Sequence, residues 1–211
     1  MFRVKDFMTK DPITVDPAEK ISAVIDLMKF HHIHRIPVVD ARDHLVGLIT
    51  EGMIAADNTA TSLSIYELNY LLSKTEVRTV MVKHPVYVNE NDLMEQATEK
   101  LLKNDIGCLP VVNDEGKVVG ILTQNDIFKA FLEMLGWSSK GSRILLIAEE
   151  RVGVLEKLSS LFASQNISIR NISVYGYTDD QAKILIRTVQ PVSGEFIERL
   201  KEAGYRIVEW E

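Results

Sequence analysis

The sequence predicts a mixed α/β (α+β) chain. Two tandem copies of one strand–helix–strand–strand unit, each closed by a further helix, pack as a pseudo-twofold pair, and a ferredoxin-like βαββαβ unit follows. Three observations predict this. Met8 and Met81, Pro12 and Pro85, Val15 and Val88, Ile33 and Ile106, Pro37 and Pro110, Gly47 and Gly120, and Thr50 and Thr123 all lie 73 residues apart with no gap. Chance identities would scatter across offsets. Within each copy the apolar period switches from helical to the continuous β-branched runs of buried strands. After a Gly/Ser-containing stretch at 136–142, apolar segments follow one another in the order βαββαβ, which packs two helices on one face of a four-stranded antiparallel sheet.

In the first copy, Asp11-Pro12 marks a turn and Ile13-Thr14-Val15 an extended piece. A helix opens at Pro17, and Ile21, Val24, Ile25 and Met28 share one face. Ile36 to Asp40 and Leu45 to Thr50 read as strands joined by a turn at Ala41 to His44. Residues 55–62 are small and polar and read as a loop. Leu63 to Leu72 has a helical pattern that ends the first copy or packs against a partner chain. In the second copy Val77 to Val88 repeats the lead-in segment. Leu93, Met94, Ala97, Leu101 and Leu102 form the helix face, and Leu109 to Val112 and Val118 to Leu122 are the paired strands. The expected domains are therefore 1–62, 63–136 with a connecting helix at 63–73, a linker at 137–141, and 142–211.

In the last segment Arg143 to Ala148 reads as a buried strand and Glu149 to Gly153 as a turn. Val154, Leu155, Leu158, Leu161 and Phe162 lie on one helix face. Asn166 to Tyr175 and Ala182 to Val189 are strands, Phe196, Ile197 and Leu200 mark a helix, and Tyr205 to Trp210 is the final strand.

Bulk properties exclude several classes. The chain has 211 residues, too many for one small domain, with 46% hydrophobic and 26% charged residues, as in globular proteins. A net charge of −6 argues against general affinity for nucleic acid or an anionic membrane. One cysteine, Cys108, rules out an intrachain disulfide and fits a reducing, cytoplasmic setting. The first residues lack the apolar core of a signal peptide, and no run reaches the roughly 20 apolar residues of a membrane span.

The candidate chemistry lies where the copies differ. Arg35 stands where the second copy has Cys108, His34 where it has Gly107, and Met53 where it has Asp126. The first copy thus keeps a cationic pair and the second an acid. If the copies pack face to face, one cleft holds an acid for a sugar diol and a cation for a phosphate. A carboxylate accepts both hydrogens of a 2′,3′-diol, and an arginine fork suits phosphate. Thr123 and Asp126 precede and open a helix, whose N-terminus favours an anion, but Thr and Asp are equally helix-capping residues. His34-Arg35 likewise reads as an anion contact or as a solvated loop pair. His31, His32 and His34 sit where cations meet the negative end of a helix, and their spacing matches no usual zinc pattern. Cys108 reads as a small buried apolar residue, with no base paired to it in sequence.

Two stretches carry a resemblance. His34-Arg35-Ile36-Pro37-Val38-Val39-Asp40 with Gly47-Leu48-Ile49-Thr50, and Leu109-Pro110-Val111-Val112 with Gly120-Ile121-Leu122-Thr123-Gln124-Asn125-Asp126, resemble CBS domains. The pair resembles a Bateman module over residues 1–135. The resemblance implies clefts that take AMP, ADP, ATP or S-adenosylmethionine as regulatory ligands. It implies Thr123 and Asp126 at the ribose, Val86, Tyr87, Leu109 and Pro110 at the base, and His34 and Arg35 at the phosphate. Met53 departs from the pattern in the first copy's own cleft. Residues 142–211 resemble an ACT domain, with Glu150-Arg151-Val152-Gly153-Val154-Leu155 at its first turn, although Glu150 stands where that family often has Asp and Val152 where it often has Pro. That resemblance implies side-by-side pairing of sheets and an amino acid or other small molecule at the interface, with Arg151, Gly153 and Asn171 as ligand or interface residues. Two CBS copies followed by an ACT domain resemble the AcuB-like acetoin-utilisation proteins.

The function implied is non-enzymatic. A homodimer would sense an adenosine-type ligand, act on an unidentified protein effector, and regulate acetoin or related carbon metabolism, with no obligatory cofactor and no metal. Two other classes stay open: an enzyme of acetoin catabolism and a structural dimerisation adaptor. No GxSxG elbow, phosphate-cradling glycine loop or metal-ligand spacing supports the enzyme.

Overall fold

The computed structural model describes residues 2–58, 65–176 and 180–211. The chain divides into two compact units, Met1–Phe128 and Lys129–Glu211. The duplicated segment contains α1 (Val4–Phe7), β1 (Thr9–Lys10), α2 (Ile21–His31), β2 (Arg35–Val39), β3 (Leu45–Thr50), α3 (Glu51–Asn58), α4 (Ile65–Lys74), α5 (Val77–Val80), β4 (Val82–Lys83), β5 (Val88–Asn89), α6 (Met94–Asn104), β6 (Cys108–Val112), β7 (Val118–Thr123) and α7 (Gln124–Met134). In α2 the apolar stripe Ile21, Val24 and Met28 is buried, as is the stripe Met94, Ala97 and Leu101 in α6. Both helices end on a left-handed residue, His32 (φ 52°) and Asp105 (φ 50°), 73 positions apart.

The repeat trades segments between its copies. β1, at the start of the first copy, pairs with β7 of the second (Thr9↔Ile121), while β4 pairs with β3 of the first (Val82↔Leu48). The short helices follow their strands. Val4 N–H donates to Asp92 O and Lys5 N–H to Glu90 O, both at 3.0 Å. Val77 N–H donates to Glu19 O and Arg78 N–H to Pro17 O, both at 2.9 Å. Val4 and Val77 are fully buried at these junctions. His44 bridges Lys117, its own counterpart in the repeat, so the pseudo-twofold axis passes between them. Gly47 and Gly120 lie where the exchanged segments cross the strands, and a Cβ at either would collide with Met81 Sδ or Met8 Sδ.

Several sequence expectations need correction. Four-residue helices carry too little periodicity to be read, and α1 and α5 were not anticipated. Residues 55–58, expected in a loop, form the end of α3, while 59–62 and the first two residues of the expected connecting helix lie outside the described residues. Ile13-Thr14-Val15 contributes one bridge, Val15 to Val38. Leu102, expected on the buried face of α6, is 77% exposed.

The second unit contains β8 (Arg143–Glu149), α8 (Val154–Ser164), β9 (Ile169–Tyr175), β10 (Gln181–Thr188), α9 (Gly194–Glu202) and β11 (Arg206–Trp210). Its sheet order is β11-β8-β10-β9, and every pairing is antiparallel. Leu158 and Phe162 of α8 and Phe196, Ile197 and Leu200 of α9 cover Ile144, Leu146, Ile184 and Ile186. Phe162 meets Phe196 edge-on at 4.8 Å. Ser193 Oγ caps α9 by accepting from Phe196 N–H at 3.3 Å. The stretch expected to be a linker is fastened to β10. Ser139 Oγ donates to Thr188 O at 2.6 Å, Ser142 N–H donates to Thr188 Oγ1 at 2.9 Å, and the Trp137 ring lies 5.1 Å from the Arg187 guanidinium.

Candidate ligand-binding clefts of the duplicated unit

Register brings the copy-specific residues to equivalent strand ends. Arg35 lies opposite Thr50 across β2 and β3, and Cys108 lies opposite Thr123 across β6 and β7. α3 and α7 begin directly after the two threonines. A cleft of about 480 Å³ opens at this level. His34, Arg35, Thr50, Glu51 and Met53 line it from the first copy, and His84, Pro85, Val86, Gly107 and Cys108 from the second.

Arg35 fits because its neighbour is small: a Cβ on Gly107 would sit 3.2 Å from Arg35 Nη2. Cys108 packs with Leu48 and Ile121 between the copies. Burial pushes its thiol above its ordinary value of 9.0, and Arg35 opposes that shift. His34 Nδ1 lies 2.6 Å from Glu51 Oε2, an exposed pair at the cleft mouth. A phosphate reaching His34 therefore competes with Glu51.

Asp126 reaches back to Thr123, the carboxylate half of a capping box. Asp126, 5% exposed, accepts on Oδ2 from Thr123 N–H at 2.9 Å and from Thr123 Oγ1–H at 2.8 Å. The first copy lacks the acid, and there Met53 N–H approaches Thr50 Oγ1 at 3.4 Å.

Not every expected residue falls in one place. His34, Arg35 and Val86 share the cleft of Met53; Thr123, Asp126, Tyr87, Leu109 and Pro110 are not among its lining. Tyr87 is exposed beside it, and Leu109 and Pro110 are buried within β6. Moving the lining by 73 residues marks where the repeat would set an equivalent cleft. Asp11-Pro12-Ile13 replaces His84-Pro85-Val86, Thr123 and Asp126 replace Thr50 and Met53, and His34, Arg35, Gly107 and Cys108 exchange places. Arg35 lines the cleft that is seen, and by the repeat it would also edge its equivalent. His84, Pro85 and the Asp11-Pro12-Ile13 segment were missed as candidates, although the offset applied to Val86 points directly at Ile13.

In the second unit Arg151 lines a separate cavity of about 440 Å³ with Glu149, Glu156, Lys157 and Tyr205, and pairs with Glu149 at 3.1 Å. Gly153 precedes α8 with φ 86° and open space at its Cβ position. Asn171 is not part of that cavity, and its Nδ2 donates to Met134 O. Among the described residues no group of three His, Cys, Asp or Glu side chains could hold a metal, and no helix is long and apolar enough to cross a membrane.

Two copies that trade strands and frame a cleft between them define a tandem paired-repeat module. The chain belongs to the CBS domain family, whose matches span residues 4–56 and 77–133. It is 32% identical over 146 residues to an inosine-5′-monophosphate dehydrogenase from Methanocaldococcus jannaschii, covering 69% of this chain and about a quarter of that enzyme (27%). Among solved structures it resembles CBSX2 in complex with AMP (29% identity, TM-score 0.54, 63% of this chain and 98% of that one). It also resembles the CBS domain pair of protein MJ0100 with 5′-methylthioadenosine and S-adenosyl-L-methionine (29%, TM-score 0.51, 61% and 94%). A third neighbour is a putative acetoin utilization protein, AcuB, from Vibrio cholerae (27%, TM-score 0.54, 65% and 96%).

The buried thiol has a testable consequence. Its folded pKa is raised, so its contribution to stability is fully present below the unfolded value and is lost as pH rises through the folded one. Stability measured by urea denaturation is expected to fall above about pH 9, and Cys108→Ala to make that fall shallower. An identical alkaline slope in Cys108→Ala would show that the thiol does not contribute.

Proposed function

We propose that the chain is a non-enzymatic regulatory protein whose CBS pair senses an adenosine-type ligand such as AMP, ADP, ATP or S-adenosylmethionine. The observation that carries this reading is the position of Arg35. It is a guanidinium lining the cleft between the copies, and the 73-residue repeat would put it at the edge of the equivalent cleft as well, so that one fork could serve a phosphate in either. The cleft with Thr123 and Asp126 suits a ribose diol, while the one with Met53 offers no carboxylate at that position. Pro85 and Val86, or Pro12 and Ile13, provide an apolar wall for a base. Neighbours solved with AMP and with S-adenosyl-L-methionine support the ligand class.

The same reading takes residues 142–211 as an ACT domain that pairs with a second copy, with Arg151 and Gly153 at its amino-acid site and Asn171 nearer the domain's lead-in. Similarity to AcuB supports a role in acetoin or related carbon metabolism. Signalling requires the ligand to bind one conformation better than another, and binding alone changes nothing downstream. The test is a thermal-shift series with AMP, ADP, ATP, S-adenosylmethionine and NAD. A ligand at ten times its Kd stabilises by about 1.4 kcal/mol. Arg35→Ala is expected to weaken AMP about tenfold or more and to leave 5′-methylthioadenosine, which has no phosphate, unchanged. If no adenosine compound moves the melting temperature, the proposal fails.

A further inference from the structure

Arg187, in the middle of the second unit's sheet, is a buried cation that the folded chain leaves incompletely satisfied. It is 8% exposed, and its Nε is a buried side-chain nitrogen without a hydrogen-bond partner among the described residues. Buried polar groups are normally paired, and such an exception calls for an explanation. Ile184 and Ile186 of the same strand point into the core under α8 and α9, so Arg187 projects from the opposite face. There it lies directly across from Arg143 on one side and Asn171 on the other.

Two arginines opposed across strands repel unless something answers them. Arg143 is answered, by Glu209 at 2.9 Å with Glu211 at 3.9 Å. Asn171 gives its amide to Met134 O. Arg187 has the Trp137 ring over its guanidinium at 5.1 Å and no ion pair among the described residues. The next rung of the sheet is Leu185 opposite Leu145, both half-buried. A flat cation with one unpaired edge therefore borders an indole and two leucines.

We propose that this face binds a small monocarboxylate. The carboxylate would bond side-on to the Nε edge of Arg187, and its short apolar body would lie against Trp137, Leu145 and Leu185. The guanidinium fork matches a carboxylate bidentately. Only one of the two arginines is unanswered, which fits a single negative charge and disfavours a phosphate dianion. The site is distinct from the CBS clefts and from the cavity at Arg151. Because Nε is sealed, the ligand enters by displacing the indole, and Trp137 reports its arrival.

The experiment uses the full chain with Trp210→Phe, which leaves Trp137 as the sole tryptophan. It is titrated with propionate against chloride of equal ionic strength. Expected is a saturable change in Trp137 emission, together with a melting temperature that climbs with the logarithm of propionate concentration. Inorganic phosphate is expected to do neither. Arg187→Met in the same background is expected to melt in chloride no lower than its parent, since it removes a poorly satisfied buried charge, and to lose both responses. Arg187→Lys, which keeps the charge without the fork, is expected to bind propionate at least tenfold more weakly. A parent response no different from chloride, a saturable response that survives in Arg187→Met, or tighter binding of phosphate than of propionate would each overturn the assignment. So would a steep loss of stability of Arg187→Met in chloride, because the chain itself would then be shown to satisfy the guanidinium.

Discussion

Gly141→Ala is expected to destabilise the second unit by about 3 kcal/mol, from strain of 1–3 kcal/mol plus about 1 kcal/mol for each hydrogen bond lost. A Cβ at Gly141 would overlap Thr188 O and lie 2.5 Å from the Thr188 carbonyl carbon and 2.8 Å from Oγ1. None of these atoms can retreat cheaply. Thr188 N–H donates to Ser142 O at 3.0 Å, its carbonyl accepts from Ser139 Oγ, and its hydroxyl accepts from Ser142 N–H. β10 is an inner strand with β8 and β9 on either side, so it cannot shift without disturbing both ladders. Trp137 and Trp210 both belong to the second unit, so tryptophan emission during urea denaturation follows that unit alone. The midpoint should fall in Gly141→Ala. Gly153→Ala is the comparison, with no atom within 4 Å of its Cβ and only a left-handed φ to strain, at a cost of about 1 kcal/mol. Equal midpoints for the two variants would mean that contact with Thr188 is not what requires a glycine at 141.

That glycine also shows where a sequence stops being readable. Gly136 to Ser142 has the composition of a linker, and composition says nothing about a hydrogen bond made to a strand forty-odd residues later. The duplication was legible because identical residues recur at one offset, and βαββαβ was legible because each element is long enough to show its period. The exchange of lead-in segments was not. Met8 stands at the same offset from Met81 whether it packs on Gly47 or on Gly120, so the repeat cannot tell self-docking from exchange. Leu109 and Pro110 followed from resemblance to positions that border a base, yet here β6 lies between β5 and β7 and both side chains are buried. Arg187 was silent because an arginine at an alternating strand position reads as solvent-facing, and its cover, Trp137, lies in the stretch that looked like a tether.

Asp126 separates the two roles that residue type left side by side. Asp126→Ala removes both bonds to Thr123, the residue that leads into α7, at an expected cost of about 1 kcal/mol. Asp126→Asn retains an amide oxygen for Thr123 N–H and should recover most of that loss. Affinity for AMP should divide the variants differently. A diol bonded to a carboxylate gains about 1.5–3 kcal/mol per charged hydrogen bond, so both variants are expected to bind AMP at least tenfold more weakly by titration calorimetry. Stability would then follow the acceptor oxygen and affinity the charge. The converse substitution, Met53→Asp, supplies the missing acid beside Thr50 and is expected to add a second AMP site per chain. An Asp126→Asn chain that binds AMP as its parent does would reduce the carboxylate to a helix cap, and would leave Arg35 to account for recognition without a partner at the ribose.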